Sequence, residues 1–223
     1  MKSLKILAVD DHKMTMLGYK YILEDFDFKD FKVKMDMEDS FDSGKLKIEE
    51  EVKKDSPYDI ILLDIQLSPI KEGYSRTGED LGIISRKISP NSKIVFLSSF
   101  SDNYRINSIM QTVNPEGYMV KTEINEDALT DMVNTVLTAP PFYTKKALIA
   151  IRNRMSTNIH LDDNDKKLLY YLSIGTKTKD MVEFVSLSLS GIENRKRQLK
   201  EIFGVDKEND YKLITAAKEK GFI

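Results

Sequence analysis

Four apolar runs of this chain stop on residues that bind or move charge. Ile6-Leu7-Ala8-Val9 ends in Asp10-Asp11, Ile60-Ile61-Leu62-Leu63 ends in Asp64, and two further runs stop at Ser98 and Lys121. Parallel α/β sheets gather ligands at the carboxyl ends of their strands, so these stops place three carboxylates, a hydroxyl and an ammonium around one crevice. Two adjacent carboxylates near a third repel one another unless a cation lies between them, and oxygen donors suit a hard cation. The set therefore reads as a phosphate-and-magnesium site. Singly, each residue has a plainer reading: Asp10 and Asp11 suit the cap of a following helix, Asp64 and Ser98 suit strand-end turns, and His12 reads as a helix-start residue beside the site.

The stops face one crevice only if the runs alternate with helices. Strand-like runs at 4–9, 31–37, 58–63, 93–98 and 117–120 are each followed by a helical pattern, at 13–25, 40–54, 78–88, 102–112 and 124–138. Five such units predict a five-stranded, parallel, doubly wound α/β domain over residues 1–138. Runs 58–63 and 93–98 are almost wholly apolar, as expected of strands buried on both faces, whereas Phe31, Val33, Met35 and Met37 alternate with charge like an edge strand. Pro140-Pro141 closes this domain. Residues 139–160 read as a basic linker, helical over 145–154, whose Ala147, Leu148, Ile149 and Ile151 call for cover. From 161 to 223 strand signals are scarce and short helices are predicted at 165–174, 177–184, 190–203 and 210–220, with Gly175 and Gly204 at helix stops. The middle pair has helix-turn-helix proportions, so a small all-α domain is expected.

Composition narrows the chemistry. A 223-residue chain that is 41% hydrophobic and 31% charged has room for two modest cores and is not of disordered type. The absence of cysteine excludes thiolate metal sites, and two histidines far apart in sequence make a poor zinc centre, which leaves a hard cation on oxygen ligands. No apolar run approaches the roughly 18 residues of a membrane span, and Met1-Lys2-Ser3-Leu4-Lys5 runs straight into a strand pattern, so a cytoplasmic protein without a membrane partner is expected. The net charge of −2 hides an acidic front, a basic stretch at 139–155 and a nearly neutral end. A neutral end is a weak footprint for nucleic acid.

Asp10-Asp11, Asp64, Ser98, Tyr118 and Lys121, in this order on successive strands, resemble the phosphoacceptor site of response-regulator receiver domains, which have the flavodoxin-like fold. The resemblance implies that Asp64 accepts a phosphoryl group from a sensor histidine kinase. It implies Mg²⁺ held directly by Asp11 and Asp64, through water by Asp10, and by the backbone carbonyl of Gln66. Lys121 would neutralise phosphoryl charge, and Ser98 with Tyr118 would form the switch that reports phosphorylation. The segment 66–82, with Pro69, is longer than the usual loop.

Residues 161–223 resemble the LuxR-type helix-turn-helix domain of response regulators at Leu161, Leu168-Leu169, Gly175, Ser188, Ile192, Leu199, Gly204-Val205 and Ala216-Ala217. That implies DNA binding, with Asn194, Arg195, Lys196, Arg197 and Gln198 as contacts, and dimer formation through Leu213, Ile214 and Ala217 of the last helix. Departures fall where DNA would be read: Gly191, Glu193 and Arg195 replace the common threonine, lysine and histidine. Ser190-Gly191-Ile192-Glu193 also reads as a capping box that would fold Glu193 back on the helix start. The expected function is a transcription-regulating response regulator, with no enzyme activity beyond its own phosphorylation and dephosphorylation. The alternatives are a receiver-controlled regulator that docks a protein partner instead of DNA, and a small phosphatase or phosphotransferase, for which Gln66 lacks the second carboxylate usually beside the nucleophile.

Overall fold

A computed structural model describes residues 2–67, 76–99, 103–155, 159, 161–220 and 222–223, which form two compact units, the first within residues 1–147 and the second chiefly 148–223. Pro69 and most of the long loop after Asp64 lie outside the described residues.

In the first unit, strands β1 (Lys2–Val9), β2 (Phe31–Glu38), β3 (Ile60–Asp64), β4 (Lys93–Ser98), β5 (Gly117–Val120) and β6 (Phe142–Tyr143) form one sheet in the order β2-β1-β3-β4-β5-β6. All its pairings are parallel. The sheet thus has six strands rather than five. The sixth was hidden because a two-residue strand has no period to read, and the prolines before it resemble a domain end.

Helices α1 (Lys13–Asp25), α2 (Phe41–Lys53), α3 (Gly78–Ile88), α4 (Asn103–Thr112) and α5 (Glu126–Thr138) follow the strands. Met16, Tyr19 and Leu23 of α1 and Leu129, Met132, Val133 and Val136 of α5 pack with Ile6, Ala8, Ile60, Leu62, Val95 and Leu97 on one face. The alternate residues face α2 and α3: a Cβ on Gly44 would meet Val9 and Leu81, and one on Gly82 would meet Phe96 and Val113. Both faces of β3 are buried, which is why its sequence shows no polar alternation.

Helix α6 (Lys145–Met155) follows β6. Within it Ala147 and Ala150 are buried, while Leu148 and Ile149 are about half exposed.

The second unit contains α7 (Asp163–Ser173), a 3₁₀ turn at Asp180–Glu183, α8 (Leu189–Phe203) and α9 (Asp210–Glu219). Leu168, Leu169, Leu172, Met181, Ile192, Leu199, Phe203, Leu213, Ala217 and Phe222 belong to its core. Gly204 ends α8 with φ of 72°, the left-handed conformation that favours glycine. Three expectations change here. The helix expected at 177–184 is a single 3₁₀ turn, short enough to bury Met181 and Val185 without a full helical face. The cap of α8 is Ser188, whose Oγ accepts from Gly191 N at 3.2 Å, so Glu193 lies too far into the helix to close a capping box. Finally, Leu213 and Ala217 are fully buried in their own core, and Ile214 packs against it, so the stripe read as a pairing surface faces inward.

Candidate functional site

The strand order reverses at β1, and in such sheets the crevice at the reversal takes the ligand. Register sets what lines it. Val9 pairs with Leu63, so Asp10 and Asp64 come next on adjoining strands; Asp64 pairs with Leu97, and Ser98 with Val120, one residue before Lys121. The fold thereby brings Asp10, Asp64, Ser98 and Lys121 to one edge.

Asp10 is 1% exposed and Asp64 3%. The Lys121 ammonium bridges them, 2.5 Å from Asp10 Oδ2 and 3.0 Å from Asp64 Oδ2. Burial, together with the Asp10 charge, pushes the Asp64 carboxyl above its usual range even though Lys121 and the Gln66 backbone pull it down. Burial disfavours the Lys121 ammonium, but its two carboxylate neighbours outweigh that and raise its pKa. Three carboxylates around a single lysine leave excess negative charge in the crevice.

Asp10 Oδ1 accepts from the His12 backbone N–H at 2.8 Å and lies 3.1 Å from His12 Nδ1. The same ring nitrogen is 2.6 Å from Asp11 Oδ1. One donor atom each from Asp10, Asp11, His12 and Asp64 falls within 4.8 Å of the others, a cluster that can hold a metal ion. Its buried carboxylates fit a hard divalent cation. Gln66 is exposed next to the crevice, Ser98 is buried at the end of β4, and the Tyr118 ring is fully buried.

Sequence reasoning missed several supporting residues. Gly78 opens α3 against the end of β3: a Cβ there would sit 1.8 Å from the Asp64 carbonyl oxygen, so only glycine permits this approach. The glycine at the start of a helical pattern was the available signal. Thr77 and Asp80 cap α3 reciprocally. Tyr19 is buried among the α1 and α5 residues, and burial, with the charges of Asp10 and Asp64 behind it, pushes its hydroxyl up to about 12. Thr144, which nothing marked, accepts from Val120 N at 3.1 Å through Oγ1 and donates its N–H to Tyr118 O at 3.2 Å. Beside it, the Tyr143 hydroxyl reaches Met110 Sδ at 3.5 Å.

In the second unit the basic run of α8 divides. Arg195 Nε donates to Asp165 Oδ1 at 2.5 Å and Nη2 to Asp165 Oδ2 at 3.2 Å, and Nη2 also pairs with Asp162. Asp162 and Asp165 are the reciprocal cap of α7, so Arg195 ties α8 to the start of α7. Lys196 is buried and binds Asp210 at 2.7 Å and Thr178 Oγ1 at 3.1 Å; Lys200 also binds Asp210, at 2.8 Å. Burial opposes the Asp210 charge, but the two lysines together hold it below the usual range. Burial and pairing take Lys196 out of the exposed candidates. Asn194, Arg197 and Gln198 are exposed, and Glu193 pairs with Lys196, at 3.5 Å.

No protein-family model matches the chain. The transcriptional regulatory protein MctR of Rhizobium johnstonii is 20% identical over 205 residues, which span 91% of this chain and 88% of that protein. Among solved structures, the response regulator ChrA of a heme-sensing two-component system matches over the full length of both chains with 20% identity and a TM-score of 0.52. RcsB from Salmonella enterica serovar Typhimurium, bound to promoter P1flhDC in the presence of the phosphomimetic BeF₃⁻, matches over 97% of this chain and 98% of that one, with 15% identity and a TM-score of 0.63. Among the described residues no helix is long and apolar enough to cross a membrane. A doubly wound parallel sheet followed by a small helical unit is the fold shared with these solved structures, and the chain has the fold of response regulators that join a flavodoxin-like receiver to a C-terminal helical domain.

Proposed function

We propose that the chain is a cytoplasmic response regulator of a two-component system, phosphorylated on Asp64 by a sensor histidine kinase and regulating transcription through DNA binding by a dimer of its C-terminal domain. Its parts would be a receiver over 1–138, a linker over 139–160 and a helix-turn-helix domain over 161–223. The observation that carries the reading is the pair of buried carboxylates, Asp10 and Asp64, held at the switch point of the sheet by one lysine.

An Asp64 carboxylate oxygen forms the new P–O bond as the P–N bond of a phosphohistidine breaks and the imidazole leaves. Lys121, already bridging Asp10 and Asp64, balances charge on the transferring phosphoryl oxygens, and such positioning and electrostatics do most of the work in phosphoryl transfer. Asp11 and Asp64 directly, Asp10 through water and the Gln66 backbone carbonyl would hold Mg²⁺, which would supply further positive charge beside the phosphoryl group. Ser98 and Tyr118 end or line the strands beside Asp64 and serve as the switch pair. The likeness to RcsB, whose structure is of the protein bound to a promoter, supports the DNA-binding half.

One observation favours a second reading, in which the C-terminal domain docks a protein: Arg195, Lys196 and Lys200 are matched by acids of their own unit. A single experiment on the full chain separates the two. Incubation with acetyl phosphate and Mg²⁺ is expected to label wild type and not Asp64→Asn, and to increase DNA affinity in a salt titration. Labelling that persists in Asp64→Asn overturns the nucleophile; labelling without DNA binding at low salt selects the docking regulator.

A further inference from the structure

Lys121 carries its ammonium on a flexible four-carbon stem, so the place it takes between Asp10 and Asp64 depends on how firmly its backbone is held. The residue before it, Val120, pairs with Ser98 of β4 on one side, and its N–H donates to Thr144 Oγ1 at 3.1 Å on the other. In a five-stranded sheet β5 would be the edge strand, and that second side would have no neighbouring strand. Here Phe142 and Tyr143 pair with Gly117 and Tyr118, and the Thr144 N–H donates to Tyr118 O at 3.2 Å. The Thr144 hydroxyl then carries the pattern one step further along β5, to the residue that leads into Lys121. Thr144 is 7% exposed, and valine has nearly the same shape, so what threonine adds at this buried position is the oxygen that meets Val120. Beyond Lys121, Glu123 Oε2 accepts the Lys146 N–H at 2.9 Å and Thr122 Oγ1 accepts from Lys146 Nζ at 2.8 Å. Residues 144–146 therefore meet the chain on both sides of the lysine.

From this geometry we infer that Thr144 is a positioning residue for phosphoryl transfer: by holding the Val120 N–H from the end of the sixth strand, it fixes the backbone from which Lys121 reaches into the crevice. The inference rests on the crevice being the phosphoacceptor site proposed above. Thr144 supplies no charge and no ligand to that site; it acts through the Val120 and Lys121 backbone, with Glu123 and Lys146 holding the far side of the same turn. When an Asp64 oxygen displaces acetate from acetyl phosphate, the phosphoryl oxygens gain a counter-charge only if the ammonium already lies where they pass. A small misplacement of a charged group in such a step costs rate without weakening the ligands of the metal.

The test uses the full-length chain as wild type, Thr144→Val, Thr144→Ser and Glu123→Ala. Asp64 labelling by acetyl phosphate is timed over a series of Mg²⁺ concentrations, and the Hε signals of Lys121 are followed by NMR in protein carrying isotope-labelled lysine, assigned by their loss in Lys121→Arg. A lysine held in one conformation shows two separate Hε shifts, and one that swings freely shows their average. Thr144→Val is expected to label about fivefold or more slowly at saturating Mg²⁺, with the half-saturating Mg²⁺ concentration unchanged and the two Hε signals merged. Thr144→Ser restores the oxygen and is expected to restore the rate and the separate signals. Glu123→Ala is expected to move both readouts in the direction of Thr144→Val but less far, and it carries the test if Thr144→Val does not fold. Wild-type rate and signals in a folded Thr144→Val overturn the inference, as do slow labelling that serine does not restore, slow labelling with the Hε signals still separate, or a raised Mg²⁺ requirement, which would place the defect in the carboxylates. Should Thr144→Val not fold, unchanged readouts in Glu123→Ala overturn it. A wild type that is not labelled at Asp64 overturns the phosphoacceptor reading and this inference with it, whereas a labelled wild type with unaltered variants overturns the inference alone.

Discussion

Lys121 and Arg195 each stand between two aspartates, but their surroundings differ. Lys121 joins Asp10 to Asp64 at a sheet edge where Asp11 adds a further carboxylate and burial already raises the Asp64 pKa. Arg195 joins Asp162 to Asp165, carboxylates that also accept backbone N–H groups at the start of α7, so both have partners within their own unit. The first arrangement leaves negative charge to be met from outside, and the second closes on itself. A cluster of charge marks a ligand site only when its own unit does not neutralise it.

The comparison breaks first if the second unit is not a self-contained core. Leu213→Glu puts a charge at a fully buried position and is expected to cost more than about 3 kcal/mol, abolishing the second unit's unfolding transition while Asp64 labelling survives. A folded variant that merely fails to dimerise would return Leu213 to a pairing surface. Next, Arg195→Ala leaves Asp165 buried without its arginine and is expected to cost about 1–3 kcal/mol in chemical denaturation. Unchanged stability with a lower salt slope in DNA binding would free Arg195 for phosphate.

A smaller effect sharpens the other side. The Asp64 pKa is raised in the folded state, so the folded chain holds that proton more tightly than the unfolded one, and stability is lost as pH climbs through the raised value. Without divalent cations, Asp64→Asn is therefore expected to raise the unfolding temperature near neutral pH, and the gain should shrink as pH falls from the raised value to the ordinary carboxylate pKa of about 4. A gain that is constant with pH would deny the crowding. Smallest of all, Arg197→Ala at an exposed position should shift stability by no more than about 0.5 kcal/mol, yet flatten log affinity against log salt by about one unit if it meets a phosphate.

The crevice was legible because a parallel sheet turns sequence order into spatial order: a run of apolar residues ending in aspartate states both the strand and the place where it stops. The direction taken by His12 was not legible, since it depends on two carboxylates and not on the period of α1. On the helical side, a run of three basic residues says nothing about which of them find acids across the unit, and Asp162, Asp165 and Asp210 come from other helices. The α9 stripe was correctly apolar but could not reveal that its own core covers it. Gly78 shows the same limit, because the atom it avoids belongs to a strand 14 residues earlier, beyond a loop.

β6 sets where the chain regains torsional freedom. Phe142 and Tyr143 pair with Gly117 and Tyr118, Thr144 is fastened to Tyr118 and Val120, and Lys146 bonds to Glu123 through its backbone N–H at 2.9 Å and to Thr122 through Nζ at 2.8 Å. These fastenings bracket Lys121, so the chain is held to the sheet as far as Lys146. Length changes on the two sides of the clamp are then not equivalent. One residue added to the loop before Phe142 leaves the pairing of Phe142, Tyr143 and Thr144 to be kept, whereas one added within α6 turns the side chains after it by about 100° relative to those before it in the same helix.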